Sequence, residues 1–134
     1  MNLTGTWQQN SERCLPPPRN KAYTYKMTVE ASDKTLRVHV IANNGRGERK
    51  LDLTYEIGGK ELVYTGMDGD EYHTKVHWNG DSLVFTTVEH ERGRSIPSQE
   101  TWTLIDAGHS LERVKMSSGL DEESKNVCVL ERLP

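Results

Sequence analysis

The side chains that could do chemistry in this chain are few, and their spacing argues against most of it. His73 and His77, in Tyr72-His73-Thr74-Lys75-Val76-His77, invite a metal reading. On an extended strand, however, four residues span about 13 Å, so the two cannot share one ion. Both have the parity of Lys75, opposite Tyr72, Val76 and Trp78, which predicts an outward, solvated face. His39 alternates with Val38 and Val40 and is expected outside as well, while His90 and His109 sit near turns. A haem would need an inward histidine, and parity gives none. No metal site and no cofactor is expected.

Nucleophilic chemistry fares no better. Neither cysteine has a recognisable histidine partner, there is no Gly-x-Ser-x-Gly elbow, and phosphate-loop and zinc spacings are missing. Among the carboxylates, Glu89, Glu91 and Glu100 could supply a general base if one faced inward. Glu100 has the parity of Trp102, which points it toward the interior. Arg113 shares parity with Leu111, so either it points inward or a bulge shifts the register. A buried Glu100 beside Arg113 could be an acid/base or a ligand clamp, although a structural ion pair is the commoner outcome of such a pairing. No catalytic residue is assigned.

The elements that must position these groups read as strands. From Ala22 onward, Tyr23, Tyr25, Met27 and Val29 alternate with Thr24, Lys26, Thr28 and Glu30, a half-buried strand. Ser32-Asp33-Lys34 turns the chain into Leu36, Val38 and Val40, and Asn43-Asn44-Gly45 turns it again into Leu51, Leu53, Tyr55 and Ile57. Gly58-Gly59 is a two-residue hairpin signal, and Asn79-Gly80 is the strongest one in the chain. Leu62 and Tyr64 continue the pattern, Asp68-Gly69 reverses it into Tyr72 to Trp78, and strands follow around Leu83 to Val88, Thr101 to Ile105 and Leu111 to Met116. A polar stretch, Ser117 to Asn126, precedes the last strand, Val127 to Arg132. Near the start, the prolines 16 to 18 exclude a long helix, and Ser11-Glu12-Arg13 could make at most one helical turn; Asn10 to Asn20 is expected to cross an end of the structure. The sum is all-β with little helix: one antiparallel up-and-down barrel of about 8–10 strands over residues 1–134, whose closure would leave no exposed edges.

A chain of 134 residues suits one domain with one sizeable core. Its 34% hydrophobic and 28% charged residues fit strands that give one face to solvent. The net charge of -3 offers no basic field for nucleic acid. No apolar run is long enough for a membrane span and no signal peptide is evident, so the chain is expected to be soluble, as a monomer or weak dimer. Cys14 follows the first strand and Cys128 lies in the last. In a closed barrel those strands are neighbours, so a bridge is geometrically reasonable; two independent thiols are the equal alternative. A bridge would imply export to an oxidising compartment such as the periplasm, with Met1 standing in for a removed signal, and free thiols the cytoplasm.

Gly5-Thr6-Trp7 on the first strand, the near-uninterrupted hairpin ladder and the length resemble the calycin group, the lipocalins and fatty-acid-binding proteins. Over nearly its whole length the chain also resembles small bacterial lipocalin-like proteins of unassigned function. There the shared wording is Gly5-Thr6-Trp7, Leu15-Pro16-Pro17-Pro18, Trp78-Asn79-Gly80-Asp81-Ser82-Leu83-Val84 and Glu100-Thr101-Trp102-Thr103-Leu104. The resemblance implies that Trp7 plugs one barrel end in a structural role under a late-strand arginine, with Arg132 and Arg113 as candidates, a cation-π contact of about 0.5–2 kcal/mol. Two departures stand against fatty-acid transport in the usual style. There is no room for a two-helix lid between Gln9 and Ala22, and the closing segment Val127-Cys128-Val129-Leu130-Glu131-Arg132 lacks the carboxylate-gripping Arg-x-Tyr.

What remains is the interior face, for which parity nominates Tyr25, Met27, Val38, Leu53, Tyr55, Thr74, Val76, Phe85, Thr87, Trp102 and, if inward, Arg113. Aromatic and aliphatic walls with a few hydroxyls make a pocket for a small hydrophobic or amphipathic molecule, and they also make a plain core. Non-catalytic binding of such a molecule is the leading expectation. The alternatives are a barrel enzyme of isomerase or hydratase type using Glu100 and Arg113, and a filled barrel acting as a structural or interaction module.

Overall fold

A computed structural model describes residues 2–118 and 123–134. Ten strands follow one another: β1 (Gly5–Leu15), β2 (Thr24–Ala31), β3 (Thr35–Asn43), β4 (Glu48–Glu56), β5 (Leu62–Thr65), β6 (Glu71–Asn79), β7 (Ser82–Glu91), β8 (Arg94–Ile105), β9 (Ser110–Ser118) and β10 (Glu123–Arg132). They form a single antiparallel sheet in the order β4-β3-β2-β1-β10-β9-β8-β7-β6-β5, curled into a nearly closed barrel. Helix is limited, among the described residues, to one 3-10 turn at Asp106–Gly108. The two-residue period sets the faces: Met27 and Val29 on β2, and Leu36, Val38, Val40 and Ala42 on β3, are buried between exposed or half-buried neighbours. At Asn79-Gly80, where Gly80 takes φ 61°, the chain makes a tight turn and Asn79 pairs with Ser82.

Closure is incomplete, which corrects the expectation of a barrel without edges. β4 and β5 stand at the two ends of the hydrogen-bonded order and do not pair, so Gly58-Gly59 does not form the hairpin its composition suggests. After Glu56 the chain leaves β3 and crosses to β6: Ile57 bridges Val76, and the Gly58 amide donates to the Val76 carbonyl at 2.7 Å. Side chains span the gap instead of a ladder. Arg49 of β4 donates to the carbonyl of Met67 beyond β5, and Tyr55 of β4 meets Tyr64 of β5 edge-on at 6.4 Å.

Three further expectations are corrected. The segment Ser11-Glu12-Arg13 is extended, not a helical turn, because β1 runs on to Leu15 before the prolines cross the barrel end. The polar stretch Ser117 to Asn126 is mostly strand: Ser117 pairs with Ser124 and Lys125 with Met116, while residues 119–122 lie outside the described ones. Trp78, grouped by parity with the inward residues, lies at the end of β6 and is 37% exposed.

One barrel end is filled. Trp7 is fully buried there with Leu3, Met27, Leu36, Leu83, Leu111 and Leu130, and its indole N–H donates to the Leu3 carbonyl at 2.9 Å. The Arg132 guanidinium lies 4.2 Å over the Trp7 ring and donates to the carbonyls of Asn2, Thr4 and Gly108 at 2.9, 2.8 and 3.2 Å. Gly5, at φ 150°, permits this approach, since a Cβ there would sit 2.8 Å from Arg132 Nη1. That nitrogen donates to the Thr4 carbonyl, and the guanidinium's other two bonds keep it from swinging away freely. Gly5→Ala is therefore expected to cost about 1–3 kcal/mol of stability, read from urea unfolding. A Gly5→Ala variant with unchanged midpoint and slope would show that Arg132 is not fixed in this way.

β1 and β10 also carry the cysteines. Asn10 pairs with Val129 but Leu15 with Val127, so five residues of β1 advance against two of β10. This bulge of odd length turns the following residues to the other face and sets Cys14 directly opposite Cys128. Their sulfurs lie at disulfide distance, with Cα atoms 4.1 Å apart.

Candidate ligand cavity

The other half of the barrel is hollow. A cavity of about 540 Å³ lies between the upper parts of β2 to β9, walled by Val38, Val40, Leu51, Leu53, Tyr55, Tyr64, Phe85 and Trp102 among others. It meets a second chamber of about 610 Å³ beneath the Pro16–Pro18 segment, lined on one side by Gln9, Arg19, Asn126 and Cys128. Tyr23, Tyr25, Glu100, Arg113 and Lys115 border both. The first volume alone falls within the range of small-molecule pockets, and a water occupies only about 30 Å³ of liquid. This open volume weighs against the filled interior that the sequence raised as an alternative.

Nine of the eleven residues nominated by parity line this cavity: Tyr25, Val38, Leu53, Tyr55, Thr74, Phe85, Thr87, Trp102 and Arg113. Met27 and Val76 do not; they are packed in the apolar core. Parity gives the face of a strand, not the height along the barrel at which packing gives way to space. Tyr64 also lines the cavity, from β5, where parity nominates no residue. Tyr23, Val40, Leu51, Tyr72 and Lys115 line it too; each shares the parity of a nominated residue on its own strand or at its margin, and carrying the alternation two residues further finds them.

The aromatic residues form one arc around the wall. Tyr72 stacks on Tyr64 with ring centres 5.3 Å apart, Tyr55 meets both Tyr64 and, at 5.4 Å, Phe85 edge-on, and Phe85 lies 4.6 Å from Trp102. The Arg113 guanidinium continues it, 5.7 Å from the Trp102 ring centre and 4.8 Å from that of Tyr25 on the far side. Burial raises the phenols of Tyr23, Tyr55 and Tyr64 above their ordinary value, keeping them neutral donors. Thr74 and Thr87 join hydroxyls at 2.8 Å.

The register places the charged pair. Trp102 of β8 faces Arg113 of β9, and Glu100, two residues back on the same face, reaches diagonally to it. Arg113 Nη2 donates to both oxygens of Glu100 at 3.1 Å, and the Trp102 indole donates to Oε2 at 2.8 Å. Arg113 Nε is buried without a partner. Burial is the largest single influence and opposes the guanidinium charge, but Glu100 and Tyr25 together outweigh it and hold the Arg113 pKa above the usual arginine value. No bulge is needed at Arg113; it simply points inward, and so does Glu100.

Outside the cavity, His73 sits on the outer face, where its Nδ1 lies 2.8 Å from Glu61, which raises its pKa. His39 pairs with Asp52, and His77, His90 and His109 are exposed. Asp68, Asp70 and Glu89 bring their oxygens within 4.8 Å of one another, a grouping that sequence spacing did not reveal because Glu89 comes from the neighbouring β7. Burial, then the two aspartates, push the Glu89 carboxyl up, and the Tyr72 hydroxyl donates to Asp68.

No protein-family model matches the chain, and no curated protein matches it. Solved structures do. Lipid binding protein 8 of Caenorhabditis elegans superposes with a TM-score of 0.73 at 11% identity, covering 97% of this chain and 94% of that one. Human cRBP IV gives 0.71 at 15% identity over 99% of both chains. Secretory abundant heat soluble protein 4 of Ramazzottius varieornatus gives 0.68 at 14% identity, covering 98% and 94%. At these identities the likeness shows the fold alone: the described residues form a ten-stranded antiparallel barrel like those of these proteins.

Proposed function

We propose that this protein holds a small hydrophobic or amphipathic molecule inside its barrel, without catalysis. The observation that carries this reading is a cavity of about 540 Å³ left open above a well-packed core, with apolar walls and a charged pair facing it. A folded chain gains from filling such space with apolar side chains; leaving it open has a cost in lost packing that a ligand can offset. Names such as lipid binding protein, borne by structural neighbours, add support by analogy of fold alone.

The Glu100–Arg113 pair suits a fixed polar landmark better than an acid/base. Three hydrogen bonds already tie the carboxylate, so taking a proton from a substrate would mean breaking a buried ion pair. A disulfide at Cys14 and Cys128 also favours an oxidising compartment as the place of work.

Titration with apolar fluorescent probes, followed by tryptophan emission and thermal unfolding, tests the reading. A probe at a hundredfold excess over its Kd is expected to stabilise the fold by about 2.7 kcal/mol. If every apolar probe leaves emission and melting unchanged, the protein is not a carrier of such molecules.

A further inference from the structure

The make-up of the wall narrows the class of occupant. All five tyrosines of the chain, its single phenylalanine and one of its three tryptophans line the cavity. Resting on the binding reading above, we infer that the ligand is a flat conjugated ring system carrying neutral oxygens, keto or phenolic, and not an aliphatic acyl chain. Ring faces such as those of Tyr55, Tyr64, Phe85 and Trp102 interact with another ring by stacking and edge-on contacts beyond what area alone provides. An alkyl chain gains only the area.

The hydroxyls discriminate further. An acyl chain filling the cavity would leave phenols that face it against methylenes, and an unsatisfied buried hydroxyl costs free energy that a paired one does not. A ring bearing oxygens on its edge can offer partners to phenols other than that of Tyr72, which already donates to Asp68. The charged pair acts in the same direction. Arg113 is already neutralised by Glu100 through Nη2, so an acid group brought to it would also meet the Glu100 carboxylate, whereas a neutral acceptor can approach the other terminal nitrogen without that repulsion.

Isothermal calorimetry on the full chain with its disulfide intact, comparing hydroxyflavone with palmitate, tests this. Hydroxyflavone is expected to bind at least about tenfold more tightly. Tyr64→Leu is expected to weaken hydroxyflavone about tenfold and palmitate less than about threefold, while Tyr64→Phe, which keeps the ring and the packing against Tyr72, falls between wild type and Tyr64→Leu for hydroxyflavone. Palmitate binding as tightly as hydroxyflavone, or Tyr64→Leu weakening both equally, overturns the inference and leaves the binding reading standing. Heat from neither ligand, with tryptophan emission and melting also unchanged by hydroxyflavone, overturns the inference; the binding reading falls only if all apolar probes are equally silent.

Discussion

Replacing Cys14 and Cys128 together by alanine is expected to lower the unfolding free energy by about 4–5 kcal/mol. The two residues are 114 apart in sequence, so their cross-link closes a loop containing most of the chain and restricts the unfolded ensemble strongly. In the folded barrel it restricts little, because β1 and β10 are already paired from Trp7–Arg132 to Leu15–Val127. The loss should therefore appear without a change of fold. Urea unfolding with and without reductant separates the cross-link from the packing of buried Cys14: reductant should destabilise the wild type by most of the same amount and leave the double variant unaffected. Equal stability of wild type in both conditions would mean that the cysteines do not form a bridge.

The second large effect lies in the cavity wall. Glu100→Leu is expected to cost about 3–5 kcal/mol, because it strands the Arg113 guanidinium without its counter-charge and removes the acceptor of the Trp102 indole. Both side chains are mostly buried, 18% and 21% exposed, so solvent screens them little. The open cavity that both side chains border places the effect toward the lower end. Combining Glu100→Leu with Arg113→Met removes both charges and should recover most of the loss, since the penalty belongs to an unpaired buried charge. If the double variant is as unstable as the single one, the destabilisation comes from packing around Trp102 and not from the ion pair.

Sequence reasoning reached the strands and their faces because the period of two is written directly in such runs as Leu36, Val38 and Val40. It reached Arg113 and Glu100 by the same parity, although it could not choose between an inward Arg113 and a bulge. What it misjudged depends on distance along the barrel or between strands remote in sequence. Met27 and Val76 have the parity of cavity residues, yet they sit at the height where Trp7, Leu83 and Leu130 fill the barrel. Gly58-Gly59 has the composition of a hairpin, and only the bridge from Ile57 to Val76 shows that the chain there crosses to β6. The bulge that brings Cys14 opposite Cys128 leaves no local mark, since Ser11-Glu12-Arg13 reads equally as turn or strand. Asp68, Asp70 and Glu89 meet because the β5–β6 turn folds onto β7, a relation set by register and not by spacing.

The proposed function places the ligand in the open half of the barrel. A crystal structure of the protein grown with the tightest-binding probe tests it most directly. Density for the probe is expected between Tyr55, Phe85 and the Glu100–Arg113 pair, with the core around Trp7 unchanged. A probe seated only on the outer surface, with the cavity holding water alone or closed by its own side chains, would contradict it.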